Sequence, residues 1–154
     1  MNEIFDLIVL GAGSGGIATA RRAASYGARV AIIESGRLGG TCVNVGCVPK
    51  KVMWNAASLA HGLEMAGDYG FKLSRHGFDW PVMKKKRDDY IVRLNEIYQR
   101  NLDLDEIKMF QGHGRLVDAH TIEVVDPHNQ ASEKIAIEGR HILIATGGRP
   151  SVPD

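Results

Sequence analysis

The sequence has 154 residues, 44% hydrophobic and 24% charged, with a formal net charge of +1. Such a chain has room for one domain with its own core, and the near-zero charge excludes a broad basic surface for nucleic acid. No apolar run approaches the ~20 residues a membrane helix needs, and no basic segment precedes the apolar stretch after Met1, so no signal peptide is read and the default location is cytoplasmic.

In chain order, residues 5–10 are a short apolar run that ends at Gly11 and reads as a buried parallel strand. Residues 14–26 are rich in Ala and Arg and predict a helix, with Gly27 as its stop. Residues 29–33 predict a second buried strand ending at Glu34, which completes a βαβ unit. The glycine-rich stretch 36–46 is a loop or an irregular helix start. Pro49 suits a first helical turn, and residues 50–65 have helical spacing. Residues 67–77 form a loop, and a second long helix starts at Trp80. Its dry face carries Met83, Tyr90, Ile91, Leu94, Ile97, Tyr98 and Leu102. The basic run Lys84-Lys85-Lys86-Arg87 reads as a solvated face.

Beyond that helix the pattern changes to short strands. Strands are predicted over 107–111, 115–118, 121–125 and 134–137, with a turn at Asp126-Pro127-His128-Asn129. A last strand over 141–145 runs into Thr146-Gly147-Gly148 and returns to the central sheet. Residues 151–154 look like the opening of a linker.

Gly11-Ala12-Gly13-Ser14-Gly15-Gly16 spells G-x-G-x-x-G between a predicted strand and a predicted helix, the context that gives the spelling meaning. Gly11 permits the tight turn, Gly13 lets backbone approach a pyrophosphate, and Gly16 lets helix and strand pack. The helix start offers N–H groups and a positive dipole end to phosphate. Glu34 stands where a carboxylate accepts hydrogen bonds from an adenosine ribose and disfavours a 2′-phosphate. The site therefore suits FAD or NAD better than NADP, the competing reading being a surface carboxylate at a strand end. Thr146 and Gly147 fall at the same carboxyl edge, where ordinary turn chemistry is the alternative.

Cys42 and Cys47 are the only cysteines in the chain. No histidine lies at a ligand spacing from them, so a metal site is a poor fit and none is assigned. In an ideal helix residues five apart point about 140° away from each other. A bridge between these two needs a distorted turn, which Gly46 would permit. Two idle buried thiols are the plain alternative. Helix-start N–H groups with Lys50 and Lys51 nearby predict a depressed thiol pKa.

The stretch Gly39-Gly40-Thr41-Cys42-Val43-Asn44-Val45-Gly46-Cys47-Val48-Pro49-Lys50 resembles the redox-active signature of the two-domain flavoprotein disulfide reductases. It follows the glycine loop and Glu34 in the same order as in that family, and the likeness extends to Ala145-Thr146-Gly147-Gly148-Arg149-Pro150. The resemblance implies an α/β, Rossmann-like FAD/NAD(P)-binding three-layer fold with a parallel central sheet and a small β-meander. It implies a redox-active disulfide in which Cys42 attacks the substrate and Cys47 lies against the flavin as its charge-transfer partner, with Lys50 near the flavin N5. Ser14, Gly15, Glu34, Gly40, Thr41, Cys42, Lys50 and Gly114 match positions that line FAD in the family. NADPH is the implied hydride donor, its site lying outside this chain.

Within the family, the first helix and the helix through Tyr98 are similar to the members that reduce glutathione disulfide. Ser14, Arg21 and Tyr98 match substrate-contacting positions there. The trypanothione-reducing members carry an acidic residue and a Trp on the first helix, and this helix has neither. Pro49-Lys50-Lys51 also differs from the Pro-Ser-Lys usual in dihydrolipoamide dehydrogenases. A solvated Arg21 and a core Tyr98 are the plainer readings. Reduction of another disulfide, of the large thioredoxin reductase or dihydrolipoamide dehydrogenase type, and a non-catalytic nucleotide-binding fragment remain as alternatives. Neither a second glycine fingerprint nor the family's C-terminal catalytic His motif stands in residues 1–154. The chain is accordingly expected to be the N-terminal part of an FAD-binding domain from a homodimeric enzyme, and inactive alone. Its six histidines read as surface or core residues.

Overall fold

The apolar runs from opposite ends of the sequence meet in the middle of one sheet. In the computed structural model, which describes residues 4–74, 76–126 and 134–153, β1 (Ile4–Leu10) lies between β2 (Val30–Glu34) and β6 (Ile135–Ile144), parallel to both. β3 (Lys108–Gln111) extends the parallel part beyond β2. β5 (Thr121–Val125) and β4 (His113–Leu116) continue antiparallel from β6, giving the order β3-β2-β1-β6-β5-β4.

Alternation along the central strands builds two cores. Val9 and Ile32 face α1 (Ser14–Ala24) and the end of α4 (Trp80–Leu104), where they pack with Ile17, Ala20 and Leu102. Ile8, Leu10, Ala31 and Ile33 face the opposite way and are covered by Ile122, Val124 and Ile137 of the β4–β5–β6 meander. The result is the expected three layers: helices, parallel sheet, meander. Ile8, Val9, Ile32, Leu102 and Ile122 are fully buried, each contributing roughly 1.5–3 kcal/mol of transfer free energy.

Gly27, at φ +83°, ends α1 as predicted, its N–H donating to Ala24 O while Ala28 N–H reaches Ala23 O. At the start of α4 the Asp79 carboxylate accepts from Val82 N–H at 2.9 Å. The basic run is a solvated face, with Lys84 paired to Asp88 and Lys85 to Asp89 one turn on.

Several predicted elements move. The strands read over 134–137 and 141–145 are one strand, β6, whose first half pairs with β5 and whose second half pairs with β1. Glu138-Gly139-Arg140 resembles a break, but Gly139 marks a close approach: a Cβ there would lie 2.7 Å from Ile8 Cγ1. β4 begins two residues earlier than read, because Gly112 (φ +153°) turns the chain and donates its N–H to Glu34 O at 2.8 Å. The stretch read as loop or irregular helix holds a short helix, α2 (Gly40–Asn44), and the next helix, α3 (Cys47–Met65), starts at the second cysteine with Pro49 in its first turn, as expected. A 3₁₀ turn, Ala66–Tyr69, follows α3 inside the region expected to be loop. The predicted turn at 126–129 falls mainly outside the described residues. Among the described residues no helix is long and apolar enough to cross a membrane.

Candidate active site

β1 delivers the chain to Gly11, whose φ of +107° and position leave no room for a side chain: a Cβ would lie 2.4 Å from Ala145 O at the end of β6. Gly16 is equally constrained, since its Cβ would sit 1.9 Å from Gly11 O. Gly13 is different. Its φ of −80° and ψ of −173° suit any residue, and the nearest heavy atom to a Cβ is 3.9 Å away. The fold demands glycine at 11 and 16; at 13 only a ligand in front of the loop would. No side chain caps the first turn of α1 and no acidic residue stands in it, so that turn is available to an anion.

Glu34 is bound into this loop. Its Oε2 accepts from Ala12 N–H at 2.8 Å and its Oε1 from Gly36 N–H at 2.8 Å. Each carboxylate oxygen keeps acceptor capacity for a hydroxyl.

In front of the loop lies a cavity of about 760 Å³, within the usual range for cofactor sites. Gly11, Gly13, Ser14, Gly15, Glu34, Gly40, Thr41, Cys42, Gly114, Thr146 and Gly147, all candidate residues from the sequence, line it together. Gly16 is buried behind it. Gly114 also has a packing reason, because a Cβ there would meet Leu10 Cδ1 at 2.4 Å. Gly147 has φ +70°, so turn chemistry operates at that position too. Ser35, His113 and Arg149 line the same cavity unforeseen. His113 read as an ordinary surface or core histidine; its place between Gly112 and Gly114, where the backbone runs close to β2, was the available signal.

The second glycine pair rests on the first. Gly40, at φ +57°, has no room for a Cβ, which would lie 2.8 Å from Gly13 Cα. Gly39 N–H donates to Ala12 O at 2.8 Å. This contact carries α2, with Thr41 and Cys42, to the cavity wall. The chain then doubles back at Gly46, where a Cβ would lie 2.9 Å from Thr41 O and 3.5 Å from Cys42 Cα. That turn defeats the ideal-helix separation and brings the Cys47 thiol close enough to Cys42 for the two to be coupled electrostatically. Both cysteines are free thiols, Cys42 half-buried and Cys47 exposed.

The electrostatics of the pair correct an expectation. Cys47 is held above the ordinary thiol range, first by its hydrogen bond to Cys42 and then by the charge of an ionised Cys42; Lys50 pulls the other way and is outweighed. Lys51 is turned aside, its Nζ 5.4 Å from the centre of the Trp54 ring. Cys47 therefore keeps its proton against the helix start and the lysines that were expected to remove it.

Ser14, Arg21 and Tyr98 meet at a second cavity of about 450 Å³, Ser14 standing between it and the first. Arg21 pairs with Asp105 at 2.5 Å, and Tyr98 also packs on the helix-side core, so the plainer readings of both hold alongside the shared cavity. Lys50 is not at the first cavity; it lines a third one, of about 420 Å³, with Asn44, Arg87 and Asp88 among others. Cys47 lines none of the three. Among the described residues no cluster could hold a metal ion.

Two residues without a sequence signal brace the cysteine turn. Asn44 Nδ2 donates to Leu38 O at 3.0 Å and Gly40 O at 2.9 Å, and Asn95 Nδ2, from α4, donates to Leu38 O at 2.8 Å and Asn44 Oδ1 at 3.1 Å.

A family model described as pyridine nucleotide-disulphide oxidoreductase matches residues 5–154. Among curated proteins, the chain is 50% identical over 155 residues to glutathione reductase of Schizosaccharomyces pombe, covering 99% of this chain and 33% of the relative. It is 46% identical over 156 residues to glutathione reductase of Yarrowia lipolytica, covering 97% and 33%. The chain thus spans about a third of the length of these relatives. A glycine loop braced by Glu34, a neighbouring dithiol and a match over nearly the whole sequence place the chain in the pyridine nucleotide-disulphide oxidoreductase family.

Proposed function

We propose that this chain is the N-terminal part of the FAD-binding domain of a flavoenzyme that reduces glutathione disulfide with NADPH through a reversible Cys42–Cys47 bridge. The observation that carries the reading is the backbone contact of Gly40 with Gly13, which seats Cys42, one of the two thiols, at the wall of the cavity in front of the glycine loop. The residues fit FAD: a loop open at Gly13, an uncapped helix start for the diphosphate, and Glu34 for a ribose. When bound, FAD would supply the two-electron relay from a nicotinamide hydride to the bridge.

The chain's own residues account for the thiol steps. Cys42 as thiolate attacks one sulfur of the substrate disulfide, and the other half leaves as a thiol. Cys47, whose pKa is raised, then gives up its proton and attacks the Cys42 sulfur. The second half of the substrate leaves, and the Cys42–Cys47 bridge forms. Two electrons and two protons pass to the substrate, which becomes two thiols. We assign Lys50, whose charge reaches Cys47, to tuning hydride acceptance at the flavin. Ser14, Arg21 and Tyr98 hold the substrate, Arg21 meeting a carboxylate and Tyr98 giving an aromatic surface. The NADPH site, the remainder of the FAD domain and the homodimer interface belong to other parts of the whole protein, which is cytoplasmic. The names of the relatives support glutathione disulfide as substrate.

The test is anaerobic reduction of the whole protein by NADPH, followed by spectrum, thiol titration and turnover of glutathione disulfide. A long-wavelength band lost in Cys47→Ser, two new thiols per chain and turnover abolished in Cys42→Ser are expected. Turnover that survives both substitutions would sink the reading.

A further inference from the structure

The cysteine turn is tied to α4 as well as to the glycine loop. The peptide between Leu38 and Gly39 is gripped on both sides: Leu38 O accepts from Asn95 and Asn44, while Gly39 N–H donates to Ala12 O. Leu38 is 6% exposed, so its carbonyl has little recourse to water once those donors are lost. Asn44 lies between the two cysteines in sequence and also holds Gly40 O, at the start of the helix that carries Cys42. Asn95 lies one turn before Tyr98 on α4. Two carboxamides therefore connect that helix, the cysteine turn and the nucleotide loop.

We propose that Asn95, acting through Asn44 and the Leu38 carbonyl, is a positioning residue that holds the cysteine turn in its bridge-forming geometry. The inference rests on the redox reading above. Holding the turn in place raises the effective concentration of one sulfur at the other and so favours the bridge. Only a donor serves at this position. A carboxylate of the same shape at 95 would set an acceptor against Leu38 O and Asn44 Oδ1.

The experiment uses the whole protein equilibrated in glutathione–glutathione disulfide buffers and quenched with an alkylating agent. In this exchange the pair loses two electrons and two protons to glutathione disulfide; its S–S bond breaks, one forms between Cys42 and Cys47, and two glutathione thiols leave. Asn95→Asp and Asn95→Ala are expected to shift the equilibrium about fivefold toward the dithiol, the worth of roughly one net hydrogen bond. Both should also speed hydrogen exchange at Gly39 N–H. Gln99→Ala, which removes a surface bond to Asp103 on the same helix, should change neither. If a substitution at 95 prevents folding, Asn95→Ser and Asn44→Ser are read in the same two assays. An unchanged bridge equilibrium in folded Asn95→Asp overturns the proposal. If the unsubstituted protein forms no bridge, the redox reading fails instead; the clamp is then judged at Gly39, where faster exchange supports it and unchanged exchange overturns it.

Discussion

Replacing Gly13 or Gly16 by alanine should separate what the glycine loop does for the fold from what it does for a ligand. A methyl on Gly16 would start 1.9 Å from Gly11 O and 3.2 Å from Val9 Cγ1. Relief requires the backbone to move by about an ångström against fully buried Val9, a cost of at least ~3 kcal/mol by analogy with overpacked cores. A methyl on Gly13 would meet nothing closer than 3.9 Å, on a φ of −80°. Its cost to stability is that of alanine against glycine at a helix N-cap, under ~1 kcal/mol. The methyl would, however, stand between the loop and an incoming diphosphate. Losing one charge-assisted contact there weakens binding by about tenfold or more. Denaturant unfolding, with native-state hydrogen exchange of the β1 amides where unfolding is not two-state, measures the first quantity. Quenching of FAD fluorescence on titration measures the second. Gly16→Ala as stable as the parent would refute the packing argument. Gly13→Ala that keeps full FAD affinity would refute the phosphate assignment.

Three further outcomes follow from the geometry. In Cys42→Ala the alkylation rate of Cys47 should rise at lower pH than in the parent, because both the hydrogen bond and the negative charge that raise its pKa are removed; a profile shifted upward or unmoved contradicts the coupling. Glu34→Gln should destabilise the loop by about 1–3 kcal/mol, since an amide NH₂ must then face either Ala12 N–H or Gly36 N–H, and melting curves read this directly. Gly139→Ala should cost about 1–3 kcal/mol by driving a methyl into Ile8, and Ile8→Val in the same chain should recover part of it, a coupling measurable by a double-mutant cycle.

The central architecture was legible because its signals are local. The runs before Gly11 and before Glu34 are apolar on both faces, as strands covered by two layers must be, and Gly11-Ala12-Gly13-Ser14-Gly15-Gly16 stands where the strand must turn. The cavity lining was legible through the same motifs, from Gly11 to Gly147. What could not be read depends on contacts distant in sequence. Gly139 looks like a turn until Ile8 is placed beneath it. Gly40 is an ordinary loop glycine until Gly13 is seen against it. Asn44 and Asn95 meet across 51 positions, and neither carries a pattern that announces the other. The raised pKa of Cys47 was missed because helix start and lysines were weighed without the second sulfur, whose position only the bend at Gly46 supplies.

The placement of β1 between β2 and β6 bears on how the molecule comes into being on the ribosome. β1 is made first, and β2 joins it within a few dozen residues, but the other edge of β1 waits for Glu138 to Ile144. At about 5–20 residues per second, that interval lasts roughly 7–26 s. Through it a nearly uncharged strand edge stays unpaired and open to other nascent chains. A slow codon tract before β6 would lengthen that exposure, and a chaperone holding the edge would shield it until β6 emerges.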